Sequence, residues 1–146
     1  MCYKRYSTFY LSNQHNKGRE KTMEKRVVMV VDDQPVMVEL LRRFIEGLGL
    51  ESESALDGLT AWEKIHLQPE KYCMIITDLH MKGLSGLDLA RKIKENFLMP
   101  VILFTGDTEI DKSAIADAVM YKPCRMEDIQ RQVVVLINQY YTHSQA

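Results

Sequence analysis

Tyr72-Cys73-Met74-Ile75-Ile76-Thr77-Asp78 is an apolar run that ends abruptly in a carboxylate. A run of this length without polar alternation suits a strand buried on both faces, the mark of a parallel sheet. The carboxylate then falls where the strand emerges, at the C-terminal edge where ligands bind in open α/β sheets. Three further apolar runs end in the same way. Val27 to Val31 leads into Asp32-Asp33, Val101 to Phe104 into Thr105, and Ala118 to Tyr121 into Lys122. Four parallel strands in one sheet would bring three carboxylates, a hydroxyl and an ammonium to a single rim.

Outward from these runs, strand-like and helix-like segments alternate from Arg26 onward, the pattern of an α/β domain. Pro35 suits a first helical turn, where its missing N–H costs little. Val36, Met37, Leu40, Leu41, Phe44, Ile45 and Leu48 recur at helical spacing, and Gly49 supplies the stop. Leu50 to Ala55 alternates in polarity and reads as an edge strand. Asp57 caps a helix carrying Leu59, Trp62 and Ile65, which fades near Pro69. Ser85 and Asp88 have capping-box spacing ahead of a helix with Leu87, Ala90 and Ile93 on one face. Between Thr105 and Lys122 there is room only for a short helix, around Glu109 to Ala116. The last helix carries Met126, Ile129, Val133, Leu136, Ile137 and Tyr140 as its apolar face. Five strands alternate with five helices, and right-handed crossovers require helices on both faces of the sheet.

At 146 residues, with 46% hydrophobic and 27% charged, the chain has the size and composition of one globular domain. A flexible tail is expected over residues 1–24, a domain over 25–142 and a short tail over 143–146. The net charge of -1 favours no polyanionic partner, so no nucleic acid is expected. No stretch approaches the roughly 20 apolar residues of a membrane span, and no membrane partner is expected. Cys2, Cys73 and Cys124 are odd in number and unpatterned, which fits a reducing cytoplasm better than a disulfide framework.

The chemistry of the rim follows from its charges. Two unit charges about 4 Å apart interact by roughly 4 kcal/mol at an effective dielectric of 20, so three clustered carboxylates need a cation. Oxygen ligands without His or Cys side chains favour Mg²⁺, which retains waters and leaves room for a phosphate oxygen. Formally, Asp32, Asp33 and Asp78 supply three negative charges, balanced by Mg²⁺ and Lys122. A carboxylate can act as a nucleophile and form an acyl phosphate. Asp78 stands alone at the end of the central strand and is the candidate, while Asp32 and Asp33 share the metal. Thr105 and Lys122 can contact phosphoryl oxygens. Taken singly, an Asp-Asp after a strand is an ordinary helix cap, and a Thr at a strand end or a Lys-Pro is ordinary loop. Together they mark a site, because each ends a different strand.

Val28-Met29-Val30-Val31-Asp32-Asp33, Ile75-Ile76-Thr77-Asp78-Leu79-His80-Met81 with Gly86 following, Val101-Ile102-Leu103-Phe104-Thr105, and Lys122-Pro123 occur in that order. In this the chain resembles the receiver domain of two-component response regulators, over about Arg26 to Tyr141. The resemblance implies a flavodoxin-like (βα)5 three-layer sandwich with a parallel five-stranded sheet of order 2-1-3-4-5. It implies that Asp78 accepts phosphate from a sensor histidine kinase or histidine phosphotransfer protein. It implies Mg²⁺ held by Asp33, Asp78 and the backbone carbonyl of His80, with Asp32 acting mostly through waters. It also implies a cis Lys122-Pro123 bond and signalling through the last strand and helices, a surface also open to a homodimer.

Three departures stand out: a connection of only 16 residues between Thr105 and Lys122, Val119 where the family often has a switching aromatic, and Lys82 where proline is common. His80 and Asp107 lie close enough in sequence to the acceptor and to Thr105 to bear on hydrolysis. Gly106 leaves the phosphate open to water, and Val135 points away from the apolar face of the last helix. The expectation is a single-domain cytoplasmic regulator that signals to a downstream protein target and is not a conventional enzyme. The rivals are a receiver-like binding module that no longer switches, and a small Mg²⁺-dependent phosphatase.

Overall fold

The computed structural model describes residues 27–109 and 115–141. Five strands, β1 Val27–Val31, β2 Glu51–Ala55, β3 Tyr72–Thr77, β4 Val101–Thr105 and β5 Ala118–Tyr121, form one sheet of order β2-β1-β3-β4-β5. Every pairing is parallel. The α-helices are α1 Pro35–Glu46, α2 Gly58–Leu67, α3 Gly86–Asn96 and α4 Met126–Tyr141, with a 3₁₀ turn at Pro69–Lys71. The short helix expected around Glu109 to Ala116 falls largely on residues 110–114, outside the described residues. Glu109 and residues 115–117 beside them are not helical. The expected tails, 1–24 and 143–146, also lie outside.

Strand alternation sorts the core into two halves. Val28, Val30, Met74, Ile76, Ile102 and Phe104 pack with Leu41 and Ile45 of α1 and with Ile129, Val133, Leu136 and Ile137 of α4. Val27, Met29, Val31, Ile75 and Val101 pack with Ala61 and Ile65 of α2 and Leu89, Ala90 and Ile93 of α3. The sheet is thus covered on both faces, in three layers. β1, β3 and β4 are buried throughout, and the polar β2 lies at the edge.

Helix ends are set by the residues that the sequence marks. Asp57 accepts a hydrogen bond from the Thr60 N–H at 2.7 Å, and Ser85 accepts one from Asp88 at 3.1 Å. Gly49 takes up the left-handed turn after α1, at φ +83°. Facial assignments shift in detail. Val36 is 79% exposed and Leu40 41%, whereas Val38 is buried, so the inward line of α1 runs through Val38, Leu41 and Ile45. Leu59 likewise faces out of α2, and Leu89 rather than Leu87 completes the buried face of α3. In each helix the apolar stripe is wider than the strip the sheet covers, and spacing alone does not fix its centre.

One irregularity lies in β3. Its register to β1 shifts between Tyr72 and Met74, leaving Cys73 as the extra residue of a bulge. The carbonyl of Cys73 accepts the Tyr141 hydroxyl at 2.7 Å, which fastens the end of α4 to the central strand.

Candidate functional site

The rim is built by backbone contacts at the ends of β1, β3 and β4. The Asp78 N–H donates to the Val31 carbonyl at 2.9 Å, and Asp32 N–H to the Ala55 carbonyl at 3.3 Å. The Lys122 N–H donates to the Thr105 carbonyl at 2.8 Å, which carries the β5 end to the same edge. The Lys122–Pro123 bond is cis, as the resemblance implies. Gly86 lets α3 approach the acceptor closely: a Cβ there would lie 1.9 Å from the Asp78 carbonyl oxygen.

Asp32, Asp33 and Asp78 each place a carboxylate oxygen within 4.8 Å of the others'. Asp32 is buried, Asp78 half-buried and Asp33 exposed. Lys122 Nζ donates to Asp32 Oδ2 at 3.0 Å and lies 3.7 Å from Asp78 Oδ1. Asp32 Oδ1 accepts from the Gln34 N–H and Asp78 Oδ1 from the Leu79 N–H, at 2.9 and 2.8 Å. Burial pushes the Asp78 carboxyl above its ordinary value; Lys122 and the Leu79 N–H pull against this, while Asp32 and Asp33 add to it. Among the described residues, one ammonium thus faces three carboxylates. All the donors are hard oxygens, so the set fits Mg²⁺ and poorly suits a thiolate- or imidazole-seeking metal.

Thr105 is buried at the end of β4, and its Oγ1 accepts the Asp107 N–H at 3.1 Å. Across the rim, His80 Nε2 meets Asp107 Oδ2 at 2.9 Å, so two residues that the sequence marks separately are a pair joining the loops after β3 and β4. Hydrogen bonds from the Glu109 N–H and then from His80 hold the Asp107 carboxyl below its usual range. Sequence reasoning misses Phe104, whose ring lies 5.2 Å beneath Lys122 Nζ. As the last apolar residue of a buried strand it reads as core. The signal is its place immediately before Thr105, next to the strand that delivers Lys122.

The fold and rim define an open α/β domain with an acidic, cation-seeking pocket at the C-terminal edge of its sheet. The chain belongs to the response regulator receiver domain family, whose model matches residues 28–134. Receiver domains are signalling modules of two-component systems, in which aspartyl phosphate and Mg²⁺ binding at an acidic pocket are general. The response regulator TrrA of Thermotoga maritima, solved in complex with Mg²⁺ and BeF, is 30% identical with a TM-score of 0.70. The match covers 76% of this chain and 98% of that one. A CheY-like receiver from Methanospirillum hungatei shares the fold at 22% identity and TM-score 0.73, over 82% and 98% of the two chains. The sensor protein EvgS of Escherichia coli K12 is 29% identical over 110 residues, 71% of this chain and 9% of that protein. The chain spans about a tenth of the length of the curated relatives it matches. Among the described residues no helix is long and apolar enough to cross a membrane.

Proposed function

We propose that this receiver accepts a phosphoryl group on Asp78 from a phosphohistidine of a sensor kinase or phosphotransfer protein, and signals by protein contact. The observation that carries the reading is the meeting of Asp78 with Asp32, Asp33 and Lys122 at one strand edge. An Asp78 carboxylate oxygen attacks phosphorus in line; the P–O bond forms as the P–N bond to the donor imidazole breaks, and the departing imidazole takes up a proton. Lys122 exchanges its contact with Asp32 for a phosphoryl oxygen, and Thr105 donates its hydroxyl to another. Asp33, Asp78 and the His80 backbone carbonyl would hold Mg²⁺, with Asp32 behind them. When bound, the ion supplies positive charge against the phosphoryl oxygens.

The likeness to a sensor protein supports a phosphohistidine donor. For output, β5 and α4 offer half-buried Val119 and exposed Val135 to a downstream protein or a second copy. The test is transfer from a phosphorylated histidine kinase, with and without chelator. Label should appear on this chain only with Mg²⁺ and should be lost from Asp33→Asn. Transfer that ignores chelator would overturn the reading, and no transfer with Mg²⁺ present would favour a binding-only module.

A further inference from the structure

Four lysines lie over aromatic rings among the described contacts: Lys71 on Tyr72, Lys92 on Trp62, Lys94 on Tyr140 and Lys122 on Phe104. Only the last of these joins the acidic rim. Phe104 has no polar atom, so its attraction for the ammonium is that of the π face alone. The ring is 4% exposed, packed in the core shared with α1 and α4, and its strand partner is Met120, two residues before Lys122. Lys122 Nζ therefore has three neighbours of different kinds: a hydrogen-bonded carboxylate at 3.0 Å, a second carboxylate at 3.7 Å, and the ring centroid at 5.2 Å.

These contacts act differently on the reaction. Asp32 alone would hold Lys122 in a tight pair on an oxygen set that must also serve a metal. The ring attracts the same charge without consuming a carboxylate oxygen, and its burial lets it replace water around one side of the ammonium. An ammonium shared between a carboxylate and a π face can leave Asp32 for a new oxygen on Asp78 while one support stays in place.

We infer that Phe104 is a positioning residue for phosphoryl transfer, its ring face holding Lys122 poised between Asp32 and the phosphoryl group. This rests on the reading of Asp78 as acceptor. It also assigns a role to an aromatic side chain at the rim of a chain that has Val119 in β5.

Fluorinated phenylalanines at position 104 test it, because stepwise fluorination drains the π face while nearly preserving size and packing. The readout is the initial rate of phosphorylation by acetyl phosphate at saturating Mg²⁺, followed by intact mass on the full chain. The rate should fall stepwise with fluorination, by about 2- to 5-fold at the most fluorinated ring. Phe104→Leu should lose at least as much. In a Lys122→Met chain, fluorination should change nothing, since the ring acts through Lys122. A flat series in the parent chain, or an equal decline without Lys122, overturns the inference and leaves Asp78 as acceptor. A parent chain that takes up no phosphoryl group overturns both.

Discussion

Two clusters of carboxylate, lysine and hydroxyl lie at opposite edges of the sheet, and they differ in how completely they are matched. At the C-terminal rim, three carboxylates face one ammonium among the described residues. At the other edge, Lys94 pairs with Asp117 and also donates to the Met99 carbonyl and the Tyr140 hydroxyl. Asp117 in turn accepts the Val101 N–H at 2.7 Å and the Tyr140 hydroxyl. There one charge meets one charge, and each carboxylate oxygen has a partner. The matched cluster ties α3, β4, β5 and α4 together. The unmatched one is left with more negative than positive charge among the described residues. Excess charge, not the presence of ionisable residues, separates the functional edge from the structural one.

The largest effect is expected at Gly86, where α3 meets the Asp78 backbone. Gly86→Ala must displace the Asp78 backbone or the start of α3, and should cost about 3 kcal/mol by urea unfolding. The same variant should label slowly at Asp78. Unchanged stability would mean that the close approach is not needed. Next comes Lys94→Met, which removes the counter-charge of Asp117 together with the hydrogen bonds to Met99 and Tyr140 and should cost about 1–2 kcal/mol. A loss no larger than that of a surface pair would erase the distinction between the two edges.

Tyr72→Phe should cost about 1 kcal/mol at neutral pH by removing the hydrogen bond to Glu53 at 2.6 Å. It should also flatten the pH dependence of stability. For Glu53, burial acts upward, but hydrogen bonds from Lys71 and Tyr72 win and hold the carboxyl below its usual range. A depressed carboxyl contributes stability above its unfolded-state value, and this is lost as pH falls through the folded one. For Tyr72, burial and then Glu53 push the phenol up, so its contribution is present below the unfolded value and lost as pH rises through the folded one. Urea unfolding of parent and variant across the pH range checks both limbs.

The smallest effect has the opposite sign. Asp78→Asn removes one of three like charges and should raise Tm by a few degrees in metal-free buffer. The parent, and not the variant, should then gain most from added Mg²⁺. A destabilised variant would show that the rim is as well matched as the Lys94–Asp117 edge.

Much of this was legible in the sequence because strands buried on both faces leave unbroken apolar runs. Val27 to Val31, Tyr72 to Thr77 and Val101 to Thr105 each end at the rim they serve, so Asp32, Asp33, Asp78 and Thr105 could be placed by chain order. Caps at Asp57 and Ser85 were legible for the same local reason. What escaped depends on distant packing. The inward lines of α1 and α2, which leave Val36 and Leu59 outside, are set by the sheet they cover. The His80–Asp107 pair spans 27 residues with no local signal, and although Lys122 could be placed at the rim by chain order, its hydrogen bond to Asp32 rather than to Asp78 could not. Phe104 was hidden by its own burial, and the Cys73 bulge shows only in the register of two strands.

If Asp78 is a phosphoryl acceptor, the excess negative charge at the rim serves to bind the cation that its phosphorylation needs. Intact mass after incubation with acetyl phosphate and Mg²⁺ tests it most directly. The parent chain should gain the mass of one phosphoryl group and Asp78→Asn none, with the gain lost on chelation. Equal labelling of the two chains, or none of the parent, would contradict it.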